Sequence, residues 1–383
     1  MKHIKKIPTQ GRSGFKAASL SLALLLAHTP VMAQDALNEN AVASERASTS
    51  LLMDLDRVGS NLIAVGERGH ILLSGDQTQS WQQVPVPVRV TLTASYFVDD
   101  QYGWAVGHDG VVLRTLDGGR SWQKLLDGNQ ANQIGLERAK QLMEALERRI
   151  ADATEQEQGD LELELESLTF LWEDAESFVT EGPSRPFLDL WFKDRNEGFI
   201  VGAFGLILHT RDGGNSWEAW FDHLDNPDNF HLNAIRQVGD RLYLAAEAGT
   251  LYRSDDWGQS WELLDSPYEG SFFGVVGSDD GRVIAYGLRG NAYQSNDWGD
   301  QWAALDTGVD TGLYGATMLD NGTVVLVGDA GMSVFLDADG NRIGNRQTRQ
   351  RLPLSSVIAG DNKELLTVGL TGVQSAPLVG GSD

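Results

Sequence analysis

The sequence predicts an all-β fold: a seven-bladed β-propeller with one inserted antiparallel α-helical hairpin. Three observations predict it. A turn phrase recurs five times, as SGDQTQSW (Ser74 to Trp81), TLDGGRSW (Thr115 to Trp122), TRDGGNSW (Thr210 to Trp217), SDDWGQSW (Ser254 to Trp261) and SNDWGDQW (Ser295 to Trp302). A second phrase, apolar-Gly-x-x-Gly, recurs seven times with its second residue at 66, 107, 202, 246, 287, 328 and 369. Finally, the one long step in that series, between the second and third copies, is filled by residues of helical rather than strand period.

Each turn phrase carries the chemistry of a tight hairpin. An Asp (Asp76, Asp117, Asp212, Asp256, Asp297) accepts from turn N–H groups, a Gly (Thr78 in the first copy) suits a positive φ, and a Trp (Trp81, Trp122, Trp217, Trp261, Trp302) is available for burial on the next strand. The tryptophans step by 41, 95, 44 and 41 residues. Such a period marks a repeat architecture.

Within the second repeat the strand-like stretches are Leu92 to Val98, Tyr102 to Val106, Gly110 to Arg114 and Ser121 to Leu125. Four short strands per unit, repeated radially, protect sheet edges in a propeller. Blades one and two are expected within 34–130 and blades three to seven within 183–383. The segment Leu336 to Ile343 reads as a degenerate turn of blade six. In phase, blade seven runs out before its outermost strand, and Asn38 to Ala47 is expected to supply it and close the ring.

The insertion, 131–182, reads as two helices. Ala139, Leu142, Leu146, Ile150 and Ala153 form one stripe, and Leu161, Leu165, Leu168, Trp172, Ala175 and Val179 form another. The expected turn is Glu155 to Asp160, and Gly182-Pro183 ends the hairpin. Propeller connectivity puts it on the face that carries the glycine turns. Leu163, Phe170, Leu171 and Phe178 lie off the main stripe and are candidate contacts for a partner protein, together with the turn residues Glu67, Arg68, His108, Asp109, Phe204, Glu247, Arg289 and Asp329.

Residues 1–33 read as a secretory signal: Lys2, Lys5, Lys6, Arg12 and Lys16 precede an apolar run from Ala17 to Ala27 and a small-residue cleavage pattern at Val31-Met32-Ala33. The run is too short to span a bilayer, so a periplasmic protein that does not itself cross the membrane is expected. The chain has no Cys, which excludes disulfides and thiolate metal sites. A formal charge of −24 argues against nucleic acid or anionic lipid as partner.

Metal and cofactor sites are not expected. Asp337, Asp339, Gly340 and Asn341 suggest a calcium loop, but no Glu stands at the twelfth position. His108, His209, His223 and His231 lack ligand spacing.

The turn phrase resembles the Asp-box of sialidases and other BNR-repeat proteins. Catalysis of the sialidase kind would need three arginines, a Tyr nucleophile with its Glu, and an acid Asp; only Ser184-Arg185-Pro186-Phe187 faintly matches the arginine motif. The longer frame VGxxGxILxTxDGGxSW, best seen from Val106 to Trp122 and Val201 to Trp217, resembles BNR propellers related to the photosystem II stability and assembly factor. That resemblance implies an exported, non-enzymatic scaffold for membrane-complex assembly, without cofactor. The hairpin departs from the photosynthetic branch, as does the lack of an Arg-rich patch. The arrangement is similar to bacterial propellers associated with RND-type exporters, which implies a transporter as membrane-protein partner. A glycan-binding or glycan-hydrolysing propeller is the alternative, with Glu67, Asp109, Glu247 and Asp329 as its acids.

Overall fold

The computed structural model describes residues 36–378 except Gln77, Glu155 and Asn362. The expected signal segment lies outside the described residues. Seven antiparallel sheets follow one another along the chain, six of four strands and the last of three, each a simple meander. Their inner strands are Leu52–Val58, Leu92–Phe97, Phe187–Phe192, Leu232–Val238, Phe272–Gly277, Leu313–Met318 and Leu354–Ala359. Each packs beside the next, and the seventh packs beside the first, so the inner strands form a closed ring.

The strand patterns follow from this arrangement. Second strands such as Gly103–Gly107 are buried at every position because other sheets cover both their faces. Inner strands are only partly buried, and fourth strands such as Ala303–Ala304 are short and exposed. The core is thus a series of inter-sheet layers. Between the first two sheets, Ile63, Val65 and Ile71 meet Leu92, Ala105, Leu113 and Trp122.

The two glycines of the recurring phrase have separate causes. At Gly107 a Cβ would collide with the Thr91 carbonyl, where the inner strand bulges between Leu92 and Ala94. Gly110 has φ +64, a region that costs other residues strain.

The hairpin comprises α1 (Gly128–Asp152) and α2 (Gln158–Glu181). Helix α1 starts earlier than its apolar period suggests because Asp127 caps it: its carboxylate accepts from the Asn129 amide while the Gln130 side chain accepts from the Asp127 amide. The seam buries Ala139, Leu146, Leu161 and Ala175.

The ring does not close through Asn38 to Ala47, contrary to the reading from repeat phase. The seventh sheet remains three-stranded among the described residues and gains no strand from this segment, which lies along the first sheet as far as Ser44 while Ala47 packs in the layer between the first and seventh sheets. The Ala41 amide donates to the Val86 carbonyl at 2.9 Å, the Arg89 amide donates to the Ala36 carbonyl at 2.7 Å, and Arg89 pairs with Glu39 at 2.5 Å. The physical reason is the alternation Val84, Val86, Val88, Val90, which needs a cover; Leu37 and Ala41 supply it. Closure is made by face packing. Leu366 and Val368 pack with Leu52 and Leu55, Ser355 Oγ donates to the Leu52 carbonyl at 2.7 Å, and Arg57 pairs with Asp361 at 2.9 Å.

Candidate functional site

The Asp-containing turns are consumed by internal bonds. At Asp117, Oδ1 accepts from Thr115 Oγ1 and from the Ser121 amide, both at 2.9 Å, and Oδ2 accepts from Ser121 Oγ at 2.6 Å. Asp76, Asp212 and Asp256 repeat this set, and Asp297 bonds to Ser295 and the Gln301 amide. Hydrogen bonds from the Ser80 hydroxyl and amide hold Asp76 below the ordinary carboxylate range. Trp122 and Trp217 are buried; Trp81, Trp261 and Trp302 are half-buried.

Two further tryptophans carry the turns in the fourth and fifth sheets. Trp257 and Trp298 take φ of +60 and +65, where the double-glycine copies place Gly118 and Gly213. Ring contacts offset that strain: Trp257 stacks on Trp191 with centroids 5.8 Å apart, and Arg241 lies 4.2 Å from the Trp298 centroid. The Asp-Trp-Gly order carried this signal in the sequence.

Third strands such as Val112–Thr115 run from a glycine turn at one end to an Asp turn at the other, so the two sets of turns occupy opposite faces. The hairpin stands on the glycine-turn face. Gly110 approaches the Gly128 backbone so closely that a Cβ would not fit.

Polar and aromatic contacts seat the hairpin. Asn132 Nδ2 donates to the carbonyls of Phe178 and Gly182 at 2.7 and 2.8 Å, while its Oδ1 accepts from buried Arg185 at 2.8 Å. Burial pulls the Arg185 guanidinium down to about 10, and its plane lies 3.8 Å over the Phe178 ring. Arg138 of α1 pairs with Asp222 in the loop after the third sheet.

Of the residues singled out from sequence, Phe178, Phe204 and Glu247 come together. The Phe178 and Phe204 centroids are 5.9 Å apart, Phe204 meets His231 at 4.8 Å, and His231 Nδ1 lies 2.9 Å from Glu247. Partial burial pushes Glu247 up, but bonds from the His231 amide and ring outweigh it and hold the carboxyl below its usual range. The sequence neighbours of His231 carry no ligand pattern, and only the fold brings it to this patch.

The others remain apart. Leu163 and Phe170 are 65% and 62% exposed on the outer side of α2, and Leu171 is half-buried. Glu67 sits 3.9 Å from Arg68 on its own turn, Asp329 accepts from the Tyr314 hydroxyl at 2.8 Å, and His108 and Arg289 are exposed. Asp109 holds its turn at φ +56. The acids therefore sit on separate turns with separate partners, rather than converging as a catalytic pair would.

A charged cluster lies instead in and beside the axial cavity of about 580 Å³, which Asp54, Asp189 and Arg236 line. Asp54 and Asp56, two residues apart on one inner strand, accept from the Ser95 amide and hydroxyl at 3.0 and 2.5 Å. Asp189 accepts from the Ile235 amide at 2.8 Å and pairs with Arg236. Burial, then the neighbouring Asp54 charge, push Asp56 well above the ordinary range. Burial also raises Asp189, against the pull of Arg236. Burial opposes the charge on Arg236, but Asp189 outweighs it and holds the guanidinium above its usual range. Tyr286, also lining the cavity, is pushed up to about 12 by burial. The Asp-x-Asp of Asp54 and Asp56 was the available sequence signal, and it reads as ordinary strand alternation.

Among the cavity-lining residues Arg236 is the single arginine, where sialidase chemistry uses three. Among the described residues no group of three or more His, Asp or Glu could hold a metal ion, and no helix is long and apolar enough to cross a membrane.

A family model described as photosynthesis system II assembly factor YCF48 matches residues 73–139 and 170–354. The chain belongs to this family. The match leaves out 140–169, the outer part of the hairpin, so the YCF48 frame here carries an added projection. The photosystem II assembly lipoprotein Ycf48 of Synechococcus sp. (strain CC9902) is 38% identical over 77 residues, covering 20% of this chain and 23% of that one. The Ycf48 lipoprotein of one Prochlorococcus marinus strain is 29% identical over 157 residues, 30% of this chain and 45% of that one. The chain thus spans less than half the length of these curated relatives. A solved structure of YCF48 bound to D1 peptide superposes with a TM-score of 0.58 at 15% identity, covering 88% of this chain and 97% of that one. At this identity the likeness is one of fold, that of the Ycf48 β-propellers.

Proposed function

We propose that this YCF48-family chain is a seven-bladed, non-enzymatic assembly or accessory factor, exported to the periplasm, that docks a membrane-protein complex on its glycine-turn face and hairpin. The observation that carries the reading is the seating of the hairpin. Arg138, Asn132 and Arg185 fix its base to the face that also bears the Phe178–Phe204–His231–Glu247 patch, while Leu163 and Phe170 remain exposed. Large exposed apolar side chains on a fixed projection suit protein contact better than a solvated surface.

The family supports this reading. Its named relatives are assembly factors, and one was solved with a bound peptide. The resemblance to propellers associated with RND-type exporters makes such a transporter the first partner to test.

Site-specific photocrosslinking in cells checks the docking face. A photoreactive residue at Phe204 or Phe170 should yield adducts with a membrane protein, and one at exposed Leu116, beside an Asp turn on the opposite face, should not. Adducts from Leu116 alone would overturn the assignment.

A further inference from the structure

The outer side of α2 has a charge pattern that the fold itself does not use. Leu163 and Phe170 are seven residues apart, so they project from one side of the helix about 10 Å from each other. Ser167 falls between them, leaving a shallow hole between two apolar side chains, the geometry into which a helix side chain inserts.

Along one border of this stripe run Glu162, Glu166 and Glu173, with Glu176 further round the helix, all exposed. Among the described residues none of the four forms an ion pair. Arg149 of α1 goes instead to Glu164 on the other side, at 2.6 Å. Glu162 and Glu166 stand four apart and Glu173 and Glu176 three apart, spacings at which like charges oppose the helix. Only the first turn of α2, at Asp160, gains from the helix dipole. Three unpaired carboxylates beside two exposed apolar side chains are complementary to a partner bearing the opposite charge beside its own apolar stripe.

We propose that the outer face of α2 binds a cationic amphipathic helix of the partner protein, with Leu163 and Phe170 as apolar anchors and Glu162, Glu166 and Glu173 facing its Lys or Arg side chains. This rests on the docking reading above and specifies the chemistry of one partner segment. An anionic lipid surface would be repelled by the same carboxylates.

The test uses the folded protein and three synthetic 18-residue probes, read by fluorescence anisotropy. One is a Leu/Lys peptide with leucines at helical spacing, one its Leu/Glu counterpart, and one a Lys/Ser peptide of equal charge without the stripe. The Leu/Lys peptide should bind most tightly and weaken with added salt. Phe170→Ser and Leu163→Ser should each weaken it at least five-fold, and the double variant Glu166→Lys/Glu173→Lys at least ten-fold. All these positions are exposed, and circular dichroism will confirm that the helices persist. Equal binding of the Leu/Lys and Lys/Ser peptides, tight binding of the Leu/Glu peptide, or indifference to Phe170→Ser would overturn the proposal. Binding to vesicles of anionic lipid would do the same. If the Phe204 crosslink to a membrane protein survives in Phe170→Ser while these peptide results fail, the docking face stands and only the cationic-helix inference falls.

Discussion

Arg138 and Asp222 join the hairpin to the propeller: Nε and Nη2 of the arginine donate to the two carboxylate oxygens at 3.1 and 2.5 Å. Its hydrogen bonds to the Asp222 carboxylate hold the Arg138 guanidinium above its ordinary range. Two-point attachment fixes orientation as well as position.

Arg138→Ala should therefore loosen the hairpin more than it destabilises the fold. A partly exposed pair is worth about 1 kcal/mol or less to stability. Hydrogen exchange should speed up at the base of α1, with the sheets unchanged. Unaltered exchange in α1 would show that Asn132, Arg185 and the aromatic patch seat the hairpin by themselves.

Asp212→Ala should cost about 1–3 kcal/mol by leaving turn N–H and hydroxyl donors without their acceptor, read as a lower midpoint in urea. Binding on the opposite face should be unaffected. The stabilisation is acid-sensitive: Asp212 lies below the ordinary range, so its contribution is complete above the unfolded-state value and is lost as pH falls through the folded one. Loss of partner binding in a fully stable Asp212→Ala protein would make this turn functional.

Asp56 has the opposite sign. Its folded-state value is raised, so as pH climbs above about 4 the unfolded chain ionises first and the folded state is penalised. Asp56→Asn should consequently raise the melting temperature at neutral pH, and the gain should disappear below pH about 4. A neutral-pH loss would show that the Asp56 charge supports the cavity.

Removing residues 36–46 uncovers Val84, Val86 and Val88 on the first sheet. Loss of the buried Leu37 contact alone is worth about 2 kcal/mol. Hydrogen exchange should rise in the first sheet and remain unchanged along Gln374–Pro377 of the seventh. Increased exchange confined to the seventh sheet would restore the strand-exchange picture of closure.

The contrast between legible and illegible features has a physical basis. Asp117 and Trp122 act within one turn, so local spacing was enough to read them, and the 41-residue step between repeats gave the order of the sheets. Helix α2 announced itself through Leu161, Leu168 and Ala175. The resting place of Leu37 depended on the distant valine row from Val84 to Val90, and repeat phase carries no information about which of two open surfaces is the more apolar. Asp54, Asp189 and Arg236 line the axial cavity, where the inner strands leave room for charge; in a linear sequence they look like the outer residues of ordinary strands. Phe204, His231 and Glu247 come from two successive sheets, so only the ring brings them together.

Replacing Ala131 to Glu181 with a short Gly/Ser linker separates docking through the hairpin from docking on the propeller alone. The flanking strands, Gln123–Leu126 and Phe187–Phe192, belong to different sheets and need only a connection. The measurement is quantitative affinity purification from membranes with the replaced and the intact chain, after confirming by circular dichroism and thermal melting that the replaced chain is folded. Recovery of the membrane-protein partner by the folded, hairpin-less propeller should fall at least ten-fold. Undiminished recovery by the same protein would rule out the hairpin as the docking element.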